Sequence, residues 1–182
     1  MIERIINEIK KCVESEYFIS ALALALTLPD ICGKAEFPSE KKEKTRYIKW
    51  YNTFVEPYVK PSDHQGDDMP YLSGEVVYQL RCSLLHQGTP NITETKRLEE
   101  RFKVDRFVLE IKDVYDSGTS MVAYGGDRKI VRRELNVSVL YLISKLAKEA
   151  KRYYKDNIAK FDFFKYEWKD ERTPNSVLWF DE

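Results

Sequence analysis

One segment of the chain, residues 73–87, constrains the fold more than any other because it has the pattern of a helix with both ends marked. Ser73 precedes the segment, and a serine hydroxyl at that position accepts a hydrogen bond from a free amide of the first turn. Gly88 suits the left-handed position just past the last turn, and Pro90 cannot continue a helix.

Helical spacing puts apolar residues on two sides of the segment, with Val76, Val77, Leu80 and Leu84 on the first and Tyr78, Cys82 and Leu85 on the second. Such a helix is predicted to be buried between two neighbours.

Two polar residues, Arg81 and His86, lie on or next to the second apolar side. On an α-helix they are about 140° apart, since five residues rotate by about 100° each, so they are not expected to lie side by side. A charged side chain is rarely buried without a partner. Glu75 or Tyr78 of the same chain would neutralise Arg81. A second copy of the helix, packed antiparallel, would instead place two arginines and two histidines around one cleft.

The run Arg81-Cys82-Ser83-Leu84-Leu85-His86 resembles the R-x4-6-H motif of HEPN domains, which is set late in a helix of an α-helical bundle. The resemblance is close over the motif helix and general over the flanking helices. Many members are metal-independent endoribonucleases in which two copies of this helix face each other across a shared cleft. Active members commonly carry a polar residue where this chain has Cys82. The resemblance implies a homodimer through the helix 73–87, an RNA substrate, no cofactor or metal, and a toxin or phage-defence role with an antitoxin-like protein partner.

Cleavage of RNA without a metal needs a base for the 2′-hydroxyl, an acid for the leaving 5′-oxygen and a cation for the phosphate. His86 is the candidate for proton transfer, because the ordinary pKa of histidine, about 6.5, lies near working pH. Arg81 is the candidate for the phosphate, because its planar donor fork matches phosphate oxygens. Four further residues are predicted to bind the substrate: Ser83, Gln87, Arg128 and Arg132. The rival hypothesis is a non-catalytic HEPN-like binding or assembly module that dimerises through the same helix.

Composition bounds these hypotheses. The 182 residues predict one domain, 1–182, and the 30 acidic residues balance the 30 basic ones. Net charge therefore gives no support for a nucleic-acid binder, although a local basic patch is enough for one.

No uninterrupted apolar run approaches the roughly 20 residues needed to cross a bilayer, and the N-terminus lacks a signal-peptide pattern. Three cysteines without paired metal spacing predict reduced thiols, so we expect a cytoplasmic protein with no membrane contact. His64 is expected in a solvated acidic loop rather than in a metal site.

The remaining pattern predicts a mainly α fold, and the resemblance implies that this fold is a HEPN-like helical bundle. Helices are predicted over 2–13, 17–28, from 38–40 through an aromatic stripe at 47–55, over 93–102, and from 136 to 158. We expect the stripe to be core rather than a base-stacking surface. Alternating apolar residues at 107–111 and around the turn 125–127 predict a small antiparallel sheet inserted near residues 105–135. The aromatic tail, 161–182, is predicted to dock on the bundle or on a partner chain.

Overall fold

The computed structural model describes residues 1–61, 69–88, 103–113, 115, 118–127, 129–167, 169 and 171. The described residues form six α-helices and a three-stranded sheet. The helices are α1 (Ile2–Glu14), α2 (Phe18–Ala25), α3 (Leu28–Glu36), α4 (Glu43–Phe54), α5 (Gly74–Cys82) and α6 (Val139–Asp156), and the strands are β1 (Arg106–Glu110), β2 (Gly118–Tyr124) and β3 (Ile130–Ser138). The prediction of a mainly α chain with a small sheet is confirmed. The predicted loop around His64 and the predicted helix 93–102 lie outside the described residues.

The core forms where α6 packs on α1, α2 and α3, and where α4 packs on α3 and α5. The aromatic stripe of α4 faces inward, as predicted: Tyr47, Trp50 and Tyr51 are 0% exposed. Burial of three such side chains explains why α4 is well anchored, since each removes a large apolar area from water. Tyr51 also donates its hydroxyl proton to the Leu72 carbonyl at 3.0 Å, which fixes the chain just before α5.

The helix boundaries between residues 17 and 43 differ from the predicted ones. The predicted helix 17–28 ends at Ala25, and Pro29 lies in the first turn of α3, where its missing N–H costs nothing. Gly33 does not end a helix but lies inside α3, because a Cβ there would come within 2.8 Å of the Arg46 backbone oxygen of α4. Helix α4 begins at Glu43 rather than at 38–40. Close packing of α3 on α4 therefore explains the position of Gly33 inside a helix, which the local sequence pattern did not predict.

Helix α5 has the predicted caps and an unpredicted last turn. The Ser73 hydroxyl accepts a hydrogen bond from the Val76 N–H at 3.3 Å, and Gly88 has a φ of 61°. Both end signals are confirmed. The residues between them do not form one continuous α-helix, because α5 stops at Cys82 and a π-helical turn spans Ser83–Gln87.

The sheet is mixed rather than antiparallel. Strands β2 and β3 pair antiparallel, as predicted, but β1 pairs parallel to β3 and the order is β1-β3-β2. The register sets Phe107 beside Leu135, and both side chains are buried. Alternation of apolar residues specifies which face of a strand is buried, but it does not specify the direction of the neighbouring strand. The prediction of an all-antiparallel sheet is therefore wrong for β1.

Two segments bear on membrane contact and on the tail. The stretch Phe18–Glu36 has the length and mean hydropathy, 1.4, of a membrane-crossing helix; half of its most apolar window is buried in the chain's own core, and core helices pass the same test. Asp30, Lys34 and Glu36 interrupt this stretch, so it is not the uninterrupted apolar run that the sequence lacks. At the start of the tail, Phe161 is 5% exposed and packs edge-on against Tyr154 of α6 at 4.9 Å. Residues 172–182 lie outside the described part.

Candidate functional site

Arg81 and His86 lie side by side in one chain. The Arg81 Nη1 atom is 3.4 Å from the His86 Nε2 atom. The prediction of a 140° separation, made with about 100° per residue, is wrong because His86 lies in the π-helical turn. In a π-helix the hydrogen bonds join residues i and i+5. Two residues that are five positions apart therefore lie about one turn apart, on the same face. The additional residue in the π-helical turn therefore brings the imidazole of His86 into contact with the guanidinium of Arg81.

Two carboxylates from neighbouring helices hold the guanidinium. The Arg81 Nη2 atom lies 2.7 Å from Asp30 Oδ2 of α3 and 3.0 Å from Glu43 Oε1 in the first turn of α4. The Arg81 side chain is 13% exposed and that of Asp30 is 19% exposed, whereas Glu43 is 51% exposed. The guanidinium is thus held at the junction of three helices. Among the alternatives left open by the sequence, the same chain supplies the counter-charge, through residues other than Glu75.

Aromatic rings form the floor of this junction. The guanidinium carbon of Arg81 is 5.7 Å from the ring centre of Tyr78 and 5.9 Å from that of Tyr47, within cation–π range. The two rings meet edge to face with their centres 5.2 Å apart. Tyr78 and Arg81, which form part of the second apolar side of α5, therefore face α4 and α3 of their own chain. Covering by a second copy of the chain is not needed to explain that side.

The electrostatics of the junction are dominated by burial. Burial, aided by the neighbouring Glu43 carboxylate, raises the pKa of Asp30 from its ordinary 3.8 to about 6, although the charge of Arg81 lowers it. Burial alone would lower the pKa of Arg81, but the charges of Asp30 and Glu43 together raise it. Arg81 is therefore permanently charged, while Asp30 is the group at the junction that can change its charge near pH 6.

Several polar atoms at the junction have unused hydrogen-bonding capacity. In the part of the chain that the structure describes, Asp30 Oδ1, Arg81 Nε and the Tyr47 hydroxyl are buried and have no hydrogen-bond partner. Buried polar atoms in native proteins are nearly always satisfied by protein or water. The junction thus has hydrogen-bonding capacity that the contacts of Arg81 with Asp30 and Glu43 do not use.

His86 is exposed, in contrast to Arg81. Arginine carries donors alone, so the contact between the two side chains is a hydrogen bond when Nε2 of His86 is unprotonated and accepts from Nη1. At 3.4 Å the contact is long, which leaves the Nε2 lone pair weakly engaged. In that form the imidazole presents a basic nitrogen at the surface, next to a fixed positive charge.

The other residues predicted to bind substrate are not gathered here. Ser83 is 3% exposed, so its side chain is buried rather than open to a ligand. The side chain of Gln87 and all of Arg128 lie outside the described part. Arg132 lies on the opposite face of β3 from the buried Leu135, where it pairs with Glu134 at 2.8 Å.

The sheet meets the far end of the motif helix. Leu72, just before the cap of α5, lines a small cavity with Ser120 of β2 and Leu135 of β3. Arg81 lies nine residues further on, which is about 13 Å of helical rise. The structure therefore brings together Arg81 and His86 but not Arg132.

Sequence reasoning missed Asp30 and Glu43, the two residues that hold Arg81. A carboxylate within the mostly apolar stretch from residue 18 to 36 is a signal that Asp30 needs a partner. The signal near Glu43 is the charged run from residue 40 to 46, which follows the predicted helix start at 38–40. Neither pattern identifies Arg81 as the partner, because three separate helices must first pack together.

Comparison of the chain with protein-family models, with curated proteins and with solved structures finds no match. Among the described residues, no group of three or more His, Cys, Asp or Glu side chains has the arrangement of a metal site. The functional argument therefore depends on the geometry around Arg81 and His86.

Proposed function

We propose that this chain is a HEPN-type, metal-independent endoribonuclease, active as a cytoplasmic homodimer, with Arg81 and His86 in its active site. A toxin or phage-defence role with an antitoxin-like protein partner is part of the proposal. The observation that carries it is the 3.4 Å separation of Arg81 Nη1 and His86 Nε2. A basic nitrogen at the surface, in contact with a largely buried fixed cation, provides two of the three groups that RNA cleavage needs.

The roles follow from the chemistry of each group. The Nε2 atom of His86 takes the proton of the 2′-hydroxyl, and the 2′-oxygen then attacks the adjacent phosphorus. The bond to the 5′-oxygen breaks, and that oxygen takes a proton from an acid, which leaves a 2′,3′-cyclic phosphate and a 5′-hydroxyl. The Arg81 guanidinium stabilises the charge that builds up on the phosphate oxygens.

Asp30 and Glu43 pre-orient the guanidinium in this proposal. Their contacts engage Nη2, while Nη1 points toward His86. A phosphate therefore approaches on the Nη1 side without displacing the buried Asp30. Two carboxylates next to the cation also weaken its attraction for phosphate, so substrate binding needs additional positive charge nearby.

The number of imidazoles supports dimerisation. The reaction uses a base and an acid, whereas one chain contributes one His86. A second copy would supply the other imidazole, and the exposed Leu85 beside His86, 37% exposed, offers apolar surface for the contact.

The test of the activity is incubation of purified protein with single-stranded RNA in EDTA. We expect cleavage that leaves cyclic phosphate ends, and a loss of roughly 10²–10⁴-fold in His86→Ala, the usual contribution of a proton-transfer group. His64→Ala, the same substitution at the chain's other histidine, is the matched control and should retain activity. Absence of cleavage by the unmodified protein, or equal cleavage by His86→Ala, would remove the enzymatic proposal.

The test of the dimer is a titration of inactive protein into active protein. Added His86→Ala chains should lower the activity per wild-type chain, because a mixed dimer holds one imidazole. Added His64→Ala chains, which are themselves active, should not lower it. If added His86→Ala chains leave the activity per wild-type chain unchanged, each chain works alone and the homodimer is wrong.

A second candidate function has its own supporting observation. The pairing of Arg81 with Asp30 and Glu43 is what a purely structural arginine would make, which favours the non-catalytic binding or assembly module. Light scattering and RNA cleavage distinguish the two candidates on the same samples. An Arg81→Ala protein that loses its dimer, in a chain that never cleaves RNA, supports the module.

A further inference from the structure

We infer that three lysines at the start of α4, Lys41, Lys42 and Lys44, form the surface that binds the RNA backbone and delivers it to the Arg81–His86 pair. We call these three residues the basic strip. The inference rests on the proposed function and adds a binding surface that the sequence analysis did not predict. It assigns backbone binding to the basic strip rather than to Arg132.

The basic strip lies in a locally basic stretch of the chain, although residues 145–155 of α6, with five basic residues and one acidic residue, are more basic still. Between residues 40 and 49 there are five basic and two acidic residues, in a chain whose total charges balance. The three lysines of the strip are all exposed. A local excess of mobile positive charge attracts a polyanion even when the net charge of the protein is zero.

Side-chain contacts connect the strip to the active site. The Lys44 Nζ atom is 5.8 Å from the ring centre of Tyr78, and the Arg81 guanidinium carbon is 5.7 Å from the same ring. Glu43, which lies between Lys42 and Lys44 in sequence, reaches the guanidinium directly at 3.0 Å. Lys44 of the strip and the Arg81 guanidinium therefore lie near the same tyrosine ring, and Glu43 joins the strip to the guanidinium.

The rival basic surface on the sheet is less suited to this role. Arg106 and Arg132 both contact the Glu134 carboxylate, at 3.2 and 2.8 Å, so one acid partly neutralises two arginines. Their sheet adjoins the start of α5, where Leu135 lines a cavity with Leu72, whereas His86 follows the end of that helix. RNA bound at the sheet would not present a phosphate to Arg81.

Lysines suit backbone binding more than base recognition. An ammonium group is a flexible point charge that neutralises a phosphate without reading the base. Each phosphate neutralised releases counterions, so the affinity for single-stranded nucleic acid falls with salt by a slope of about 0.7 per contact on a double-logarithmic plot. The strip should therefore contribute binding and salt dependence, while Arg81 and His86 carry the chemistry.

The test uses the full chain and an RNA that cannot be cleaved. A fluorescent 2′-O-methyl RNA of mixed sequence and about 20 nucleotides lacks the attacking hydroxyl, and anisotropy gives its affinity over a range of salt. The variant is Lys41→Gln/Lys42→Gln/Lys44→Gln. The matched control is Lys148→Gln/Lys151→Gln/Lys155→Gln, which removes the same charge from exposed positions of α6. Circular dichroism confirms that both variants are folded.

We expect the strip variant to bind the RNA about tenfold more weakly at moderate salt, with a salt slope reduced by about 2, which corresponds to three lost phosphate contacts. The control should change affinity less than about twofold. Equal losses in the two variants, no loss in the strip variant, or no RNA binding by the unmodified protein would each overturn the inference. Loss of binding to phosphatidylserine vesicles with RNA affinity unchanged would overturn it in favour of a membrane surface.

Cleavage of ordinary RNA separates this inference from the proposed function. If the protein cleaves RNA and the strip variant has a raised KM with unchanged kcat, both stand. If it cleaves RNA but the strip variant and the control have the same KM, the strip is wrong and the enzyme remains. If RNA binds through the strip and is never cleaved, the enzymatic proposal is wrong and the binding surface remains.

Discussion

Replacement of Arg81 by methionine should show how far the buried Asp30 depends on its partner. Methionine keeps the length and apolar stem of arginine but removes the positive charge. It also removes the contact of 2.7 Å with Asp30 Oδ2, and the Asp30 side chain is 19% exposed. The carboxylate would then be held largely out of water with no cation to balance it.

The size of the effect follows from the burial of the pair. Removing one partner of a fully buried ion pair costs about 3–5 kcal/mol. Because this junction is partly open to solvent, we expect a loss of about 2–3 kcal/mol in the free energy of unfolding near neutral pH. Part of that loss comes from the contacts of the guanidinium with two tyrosine rings, roughly 0.5–1 kcal/mol at an accessible site.

The loss should depend on pH in a defined direction. Burial already raises the pKa of Asp30 to about 6 while Arg81 works against it, so the pKa rises further in Arg81→Met. A carboxyl whose pKa is raised by folding stabilises the folded state at low pH, and this contribution is lost as the pH rises through the folded value. At about pH 5 the carboxyl of the variant is protonated, and the loss should shrink to about 1 kcal/mol.

The assay is urea unfolding, followed by circular dichroism, at about pH 5 and pH 7.5. Wild type, Arg81→Met, Asp30→Asn and the double variant form a thermodynamic cycle, in which we expect an interaction free energy of about 1–3 kcal/mol at the higher pH. Glu43→Gln is the control, since its half-exposed carboxylate should contribute less than about 1 kcal/mol. If Arg81→Met loses the same stability at both pH values, or if the two single losses simply add, the reasoning about Asp30 is refuted.

Three further predictions use the same unfolding assay. The stability of Asp30→Asn minus that of wild type should increase by roughly 1–2 kcal/mol from about pH 4 to pH 7, because the wild-type carboxyl ionises over this range and the amide cannot; a difference that is constant with pH would contradict the raised pKa. Gly74→Ala should lose about 1–3 kcal/mol, because its Cβ would meet Asn52 Oδ1, the acceptor for the Gly74 N–H at 2.9 Å. Gly88→Ala should lose about 1 kcal/mol from backbone strain alone, since its φ is 61° and a Cβ would meet no atom within 4 Å. A larger loss at Gly88 than at Gly74 would show that the crowding argument is wrong.

The features predicted correctly from the sequence depend on local chemistry. Ser73 and Gly88 mark the ends of the motif helix because a hydroxyl acceptor and a left-handed backbone are properties of single residues. The hairpin of β2 and β3 follows from alternation around one turn. The inward face of the aromatic stripe in α4 follows from helical periodicity. None of these requires knowledge of which elements pack together.

The features that were missed depend on tertiary packing. Glycine is typical of a helix end, yet Gly33 lies inside α3, where the backbone of α4 passes close to it. The parallel placement of β1 depends on which edge of β3 is free, and no local pattern encodes that choice. Asp30 and Glu43 are 13 residues apart and on different helices, so their joint contact with Arg81 exists after α3, α4 and α5 have packed.

The π-helical turn changes what dimerisation has to explain. With α-helical spacing, Arg81 and His86 of one chain diverge, and a second copy is needed to bring an arginine near a histidine. With the π-helical turn the two groups already meet within one chain, at 3.4 Å. A partner copy is then needed for a different reason, namely that one imidazole cannot act as base and acid in the same step. The proposed homodimer therefore depends on the need of the reaction for both a base and an acid. It would lose its chemical basis if another group of the same chain supplied the acid.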